Sequence, residues 1–137
     1  MSLSPHERAQ ISSVFPGTCH QVPICPIKDI LARFGDKWSM YALLLLGRNR
    51  IMRFGELRTA ITGISQRMLT VTLRSLEEDG MVTRRRYPQA PPCVEYELTQ
   101  LGESLLRQLL NLATWAGEHS SEIVNARKQY IKQTEGN

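Results

Sequence analysis

No apolar run in this chain exceeds the seven residues of "MYALLLL", Met40 to Leu46, which is far too short to span a bilayer. The opening, "MSLSPHERAQ", carries an acid and lacks an apolar stretch, so it does not read as a secretory signal. No membrane contact is expected, and the expected location is cytoplasmic. Cysteine is scarce: Cys19, Cys25 and Cys93 are an odd number in a chain without an export signal, which argues against a disulfide scaffold. His6, His20 and His119 are scattered, and none stands in metal-ligand spacing with a cysteine, so no metal site is expected. There is no glycine-rich phosphate loop and no nucleophile elbow. The chain therefore does not read as an enzyme, and no cofactor is implied. A thiol-dependent reaction would rest on Cys25 alone.

Lysine is missing where basic charge is densest. Between Arg48 and Arg86 there are nine arginines, four acids and no lysine, so this segment is +5 while the rest of the chain is −1. Arginine's rigid fork suits bidentate contacts to phosphate and guanine, whereas lysine acts as a point charge. A solvated face is the ordinary use of clustered charge; one-sided arginine enrichment favours a polyanion partner.

What is present fits a single small domain. At 137 residues and 42% hydrophobic, the chain has enough apolar material for a core. "SPHERAQISSVF" reads as a short first helix with Ser4 as cap and Pro5 at its first position, followed by the linker "PGTCHQVP". A second helix is expected in "CPIKDILARFG". A third, the most buried, lies in "DKWSMYALLLLG" with Asp36 as N-cap. A small strand near Met52 leads to a two-turn helix over Gly55–Ile61, the turn "TG", and the helix of "GISQRMLTVTLRSLEEDG". In that last helix Ile64, Leu69, Leu73 and Leu76 form the buried face. The other face opens with Gln66 and Arg67 and continues through Thr70 to Arg74. Glu77, Glu78 and Asp79 oppose the helix dipole and are expected to point away from that face, with Glu78 placed to pair with Arg74 one turn back.

The periodicity then changes from 3.6 to 2. "MVTRRRY" and "VEYELT" alternate as strands around the proline-rich tip "PQAPPC", and a long helix follows Thr99. The fold class is thus mainly α with a small β-hairpin wing: a winged helix-turn-helix with a long C-terminal dimerisation helix. In that arrangement the second helix of the pair enters the major groove with its N-terminal residues against base edges. Ser65, Gln66, Arg67, Thr70 and Arg74 are the expected DNA-reading residues, with Arg53 and the wing arginines Arg84, Arg85 and Arg86 beside them. Cross-strand pairing with Glu95 and Glu97 could neutralise two of those three wing arginines.

These pieces together resemble the HxlR-type regulators, a branch of the winged helix-turn-helix transcription factors. The resemblance rests on "CPI", "GDKWS", "RFGELRTAITGISQRMLTVTLRSLEEDGMVTRR" and "YPQAPPCVEYELTQLGESL", in that order, and covers roughly residues 25–116. It implies a homodimer whose long terminal helices form the interface. It also implies a double-stranded DNA partner with an inverted-repeat operator, and a small electrophile or oxidant effector sensed at Cys25. Where the family commonly has arginine before "VEY", this chain has Cys93, so the wing-tip contact would fall to Arg84, Arg85 or Arg86.

The division expected is an N-terminal helix and linker over 1–24, the winged domain over 25–116, and the end of the dimerisation helix with its tail over 117–137. Leu105, Leu109, Leu112 and Trp115 are the expected interface residues, because a helix apolar over so wide an arc needs two partners. The runner-up function is a winged-helix module that binds another protein and no DNA. The operator, the effector, and whether binding represses or activates are not legible.

Overall fold

The computed structural model describes residues 2–14 and 26–136. Helix α1 (Pro5–Val14) starts with a reciprocal cap. The Glu7 amide donates to Ser4 Oγ at 3.2 Å, and the Ser4 amide donates to Glu7 Oε2 at 2.6 Å. Those Ser4 hydrogen bonds hold the Glu7 carboxyl below its usual range. Helix α2 spans Pro26–Phe34, so the linker before it, with Cys19 and Cys25, lies outside the described residues.

Helix α3 (Lys37–Asn49) begins where Asp36 accepts the Trp38 amide at 3.2 Å, as the sequence led one to expect. It runs two residues past Gly47 before Arg50 turns the chain into β1 (Ile51–Arg53). Helix α4 (Phe54–Ala60), helix α5 (Gln66–Glu78), β2 (Val82–Tyr87) and β3 (Cys93–Leu98) follow, and α6 (Gln100–Glu135) completes the chain. The strands form an antiparallel sheet in the order β1-β3-β2. The expected hairpin is therefore β2-β3, and β1 covers its other edge, pairing Met52 with Tyr96.

The core lies where α3, α4 and α5 meet the sheet. Leu43 and Leu46 from α3, Leu57 from α4, and Leu69, Leu73 and Leu76 from α5 are almost wholly buried. Each such leucine contributes about 1.5–3 kcal/mol relative to leaving it in water. Met52, Val82 and Tyr96 close the sheet side.

Helix α6 starts under tight constraint. Thr99 Oγ1 accepts the Gly102 amide at 3.0 Å, and the Thr99 amide donates to the Met81 carbonyl at 3.0 Å. A Cβ on Gly102 would collide with that same Met81 carbonyl, so only glycine lets the helix come so close to the α5–β2 corner. Leu105, Leu106 and Leu109 then pack on the core. Past Leu109 the helix carries exposed apolar residues, Leu110, Leu112 and Trp115.

Candidate nucleic-acid interface

The turn between α4 and α5 depends on Gly63, whose φ of +86° suits glycine best. Ser65 then caps α5, its Oγ accepting the Met68 amide at 3.0 Å. Ile64, Leu69, Leu73 and Leu76 go inward, and this holds the opposite face outward. Gln66, Arg67, Thr70 and Arg74 are all exposed there. Arg58 on α4 donates to Gln66 Oε1 at 3.4 Å, and the Thr70 hydroxyl donates to the Gln66 carbonyl at 2.8 Å. Neither Arg67 nor Arg74 is in an ion pair among the described residues.

Strand register sorts the wing arginines onto two faces. Arg84 lies opposite Tyr96 and Arg86 opposite Val94, whereas Arg85 lies opposite Glu95. Alternation places Arg84 and Arg86 on the face turned towards α5, and Arg85 on the reverse. Arg53 in β1 also pairs with Glu95, so it shares that reverse face with Arg85. One wing arginine rather than two is tied up by acids: Arg85 Nη2 lies 3.8 Å from Glu97 Oε2. Gln66, Thr70 and Arg74 from α5 and Arg84 from β2 line one cleft of about 390 Å³, together with Phe54, Val94 and Tyr96. The structure thus gathers four of the expected residues at one cleft and sets Arg53 and Arg85 apart from it.

The acids at the end of α5 depart from expectation. Glu77 lines the cleft beside Arg74 and Arg84 instead of turning away from it. Glu78 does not pair with Arg74; its carboxylate lies 3.4 Å from Arg33 Nη2 on α2. Arg33 Nε also donates to Asp79 Oδ2 at 2.7 Å, and Nη2 donates to Ser75 Oγ at 2.8 Å. The reason is geometric: a fork from a neighbouring helix reaches several groups at the C-terminus of α5 at once, which a single i,i+4 pair cannot match. It also sets a cation at the negative end of the α5 dipole. Partial burial disfavours the Arg33 charge, but Asp79 and Glu78 outweigh it and hold the guanidinium pKa above its ordinary value. Sequence reading missed Arg33, and no local signal could have found it, since its partners lie more than forty positions away.

Cys93 starts β3 opposite Tyr87 and is buried. Among the expected interface residues, Leu109 is buried in the chain's own core, Leu105 is half-buried, and Leu112 and Trp115 are exposed. A groove of about 770 Å³ runs between α2 and α6, lined by Ile30, Leu31, Phe34, Leu105, Leu109 and Leu112 among others. Among the described residues no helix is long and apolar enough to cross a membrane.

Comparison with known proteins places this geometry. The HTH-type transcriptional regulator YtfH of Escherichia coli K12, itself uncharacterised, is 37% identical over 105 residues, covering 77% of this chain and 82% of its own length. The solved structure of ytfH from Salmonella typhimurium has a TM-score of 0.71 at 34% identity, covering 79% of this chain and 96% of that one. The redox regulator HypR in its reduced form has a TM-score of 0.67 at 36% identity, covering 73% and 98% respectively. The HxlR-like helix-turn-helix family matches residues 33–124, which take in the helix pair, the wing and much of α6. The chain belongs to that family, and it is a winged helix-turn-helix transcriptional regulator.

Proposed function

We propose that the protein is a homodimer that binds double-stranded DNA sequence-specifically, with α5 in the major groove. The observation that carries this reading is the exposed face of α5 facing Arg84 of the wing across one cleft. Arg67 and Arg74 are in no ion pair among the described residues, so their forks are open to guanine or phosphate. Arg86 and Arg84 would follow the backbone beside the groove.

The dimer reading rests on α6. Leu110, Leu112 and Trp115 are each about half exposed, and Leu112 also lines the apolar α2–α6 groove. So much exposed apolar surface along one helix calls for a cover, and α6 of a second copy is the cover proposed. On this reading residues 25–116 form the DNA-binding domain, and residues 117–137 extend the dimerisation helix. Two reading heads related by a two-fold axis would occupy an inverted repeat.

Regulation is proposed to enter at Cys25, which precedes Pro26 at the start of α2, the effector being an electrophile or oxidant. Support comes from the similarity to HypR, a redox regulator, and from the position of α2. That helix begins next to Cys25 in sequence and ends with the Arg33 fork on the C-terminus of α5. A displacement at one end of α2 is thereby transmitted to the reading helix.

The test is an electrophoretic shift on the DNA upstream of the protein's own gene, followed by footprinting. Protection of an inverted repeat, its half-sites about one helical turn or a multiple apart, is expected. Absence of any shift there and on random-sequence DNA would favour the protein-binding module instead.

A further inference from the structure

The exposed face of α5 is not wholly polar. Val71 stands 51% exposed beside the hydrogen-bonding and cationic groups Gln66, Arg67, Thr70 and Arg74. Helical spacing puts it four residues after Arg67 and three before Arg74, so the two forks flank it on neighbouring turns. Met68, three residues earlier and 40% exposed, extends this apolar spot towards the start of the helix.

A single exposed apolar side chain is ordinary on a protein surface. The position of this one is not. Leu69, Thr72, Leu73 and Leu76 fill the buried face, so the direction opposite the core passes between Arg67, Val71 and Arg74. Whatever α5 meets first, Val71 meets. The helix is also fixed at both ends, by the Ser65 cap and by the Arg33 fork, and a β-branched residue in a helix keeps essentially one rotamer. Val71 is a rigid apolar knob with a set direction.

The major groove has one group that such a knob fits. Thymine carries a C5-methyl there; the other three bases present only hydrogen-bonding groups and ring edges. A valine can bond to none of those polar groups, and burying one against it leaves a donor or acceptor unsatisfied. We propose that Val71 is a specificity-determining residue that packs on the methyl of a thymine in each half-site, between base or phosphate contacts made by Arg67 and Arg74. The assignment rests on the DNA-binding reading above and adds to it the identity of one base.

The test begins with the full-length protein selecting its sites from a random duplex library. Each thymine of the selected duplex is then exchanged in turn for deoxyuridine, which removes the methyl and leaves the pairing edge intact. At one thymine per half-site the exchange should weaken wild-type binding about fourfold, the value of one buried methyl-sized group. Val71→Ala, a change at an exposed site that favours the helix, should bind the thymine and deoxyuridine duplexes nearly equally at that position. Circular dichroism on the variant verifies that the fold is kept. An enriched site whose affinity ignores every thymine-to-deoxyuridine exchange overturns this inference and leaves the DNA-binding reading standing. A methyl effect that persists undiminished in Val71→Ala also overturns it. A library yielding no enriched sequence overturns both.

Discussion

Arg33 Nε donates to Asp79 Oδ2 at 2.7 Å, joining the end of α2 to the residue that closes α5. The same guanidinium reaches Ser75 Oγ and Glu78, so one side chain fastens the last turn of α5 from outside it. Two charge-assisted hydrogen bonds thus tie α2 to the C-terminal turn of α5. Arg33→Ala is expected to lower the midpoint of unfolding in urea titration. It should also weaken DNA binding, because the C-terminal turn of α5 loses its anchor. Arg33→Lys keeps the charge but not the fork, and should recover less than half of the loss.

Base and backbone contacts should separate by mutation. Arg67→Ala is expected to lower specific affinity by roughly 1–3 kcal/mol and to relax preference at one base position. Arg86→Ala, on the wing face turned towards α5, should weaken binding to all sequences alike and reduce the salt slope by about 1. Arg85 pairs with Glu97 on the reverse face, so Arg85→Ala should do least of the wing changes. Affinity measured on matched and base-changed duplexes distinguishes the three. A loss of base preference on changing Arg86, with a uniform loss on changing Arg67, would reverse the assigned roles.

Local chemistry made much of this legible in the sequence. Asp36 accepts an amide at the start of α3 as expected, and Ser65 and Thr99 do the same for α5 and α6, because caps are decided within three residues. The switch from period 3.6 to period 2 marked the hairpin for the same reason. What escaped depends on elements distant in sequence. The Arg33 fork depends on how α2 lies against α5, and the choice of Glu78 for Arg33 over Arg74 follows from it. The pairing of Arg84 with Tyr96 and Arg85 with Glu95 depends on strand register, which alone decides which arginine faces the cleft.

The leucines of α6 should behave differently from one another. Leu109 is in the chain's own core, so Leu109→Glu buries a charge and should cost more than about 3 kcal/mol of folding stability. Leu112 is exposed on a single chain, so Leu112→Glu should leave a folded monomer. Sedimentation and circular dichroism on both variants check this. A Leu112→Glu protein that stays dimeric would place the subunit contact elsewhere.

Treatment with diamide or a quinone should change operator affinity in the wild type and leave Cys25→Ser unaffected. Both reagents attack the thiolate, the form that helix N-terminal amides favour. Cys93 is buried in β3, so Cys93→Ser should respond like the wild type. Equal loss of affinity in wild type and Cys25→Ser, or loss in neither, would remove Cys25 as the sensor.

The central claim is that the α5 face and the wing together form a DNA-binding surface. It is tested most directly by measuring affinity for the selected duplex across a salt titration. Each phosphate neutralised contributes about −0.9 to the slope of log affinity against log salt on duplex DNA. With Arg84 and Arg86 of each subunit in play on a two-fold dimer, a slope steeper than about −3 is expected, together with loss of binding to the same duplex when Arg67 and Arg74 are both changed to alanine. A flat salt dependence, or unchanged affinity in that double variant, would contradict it.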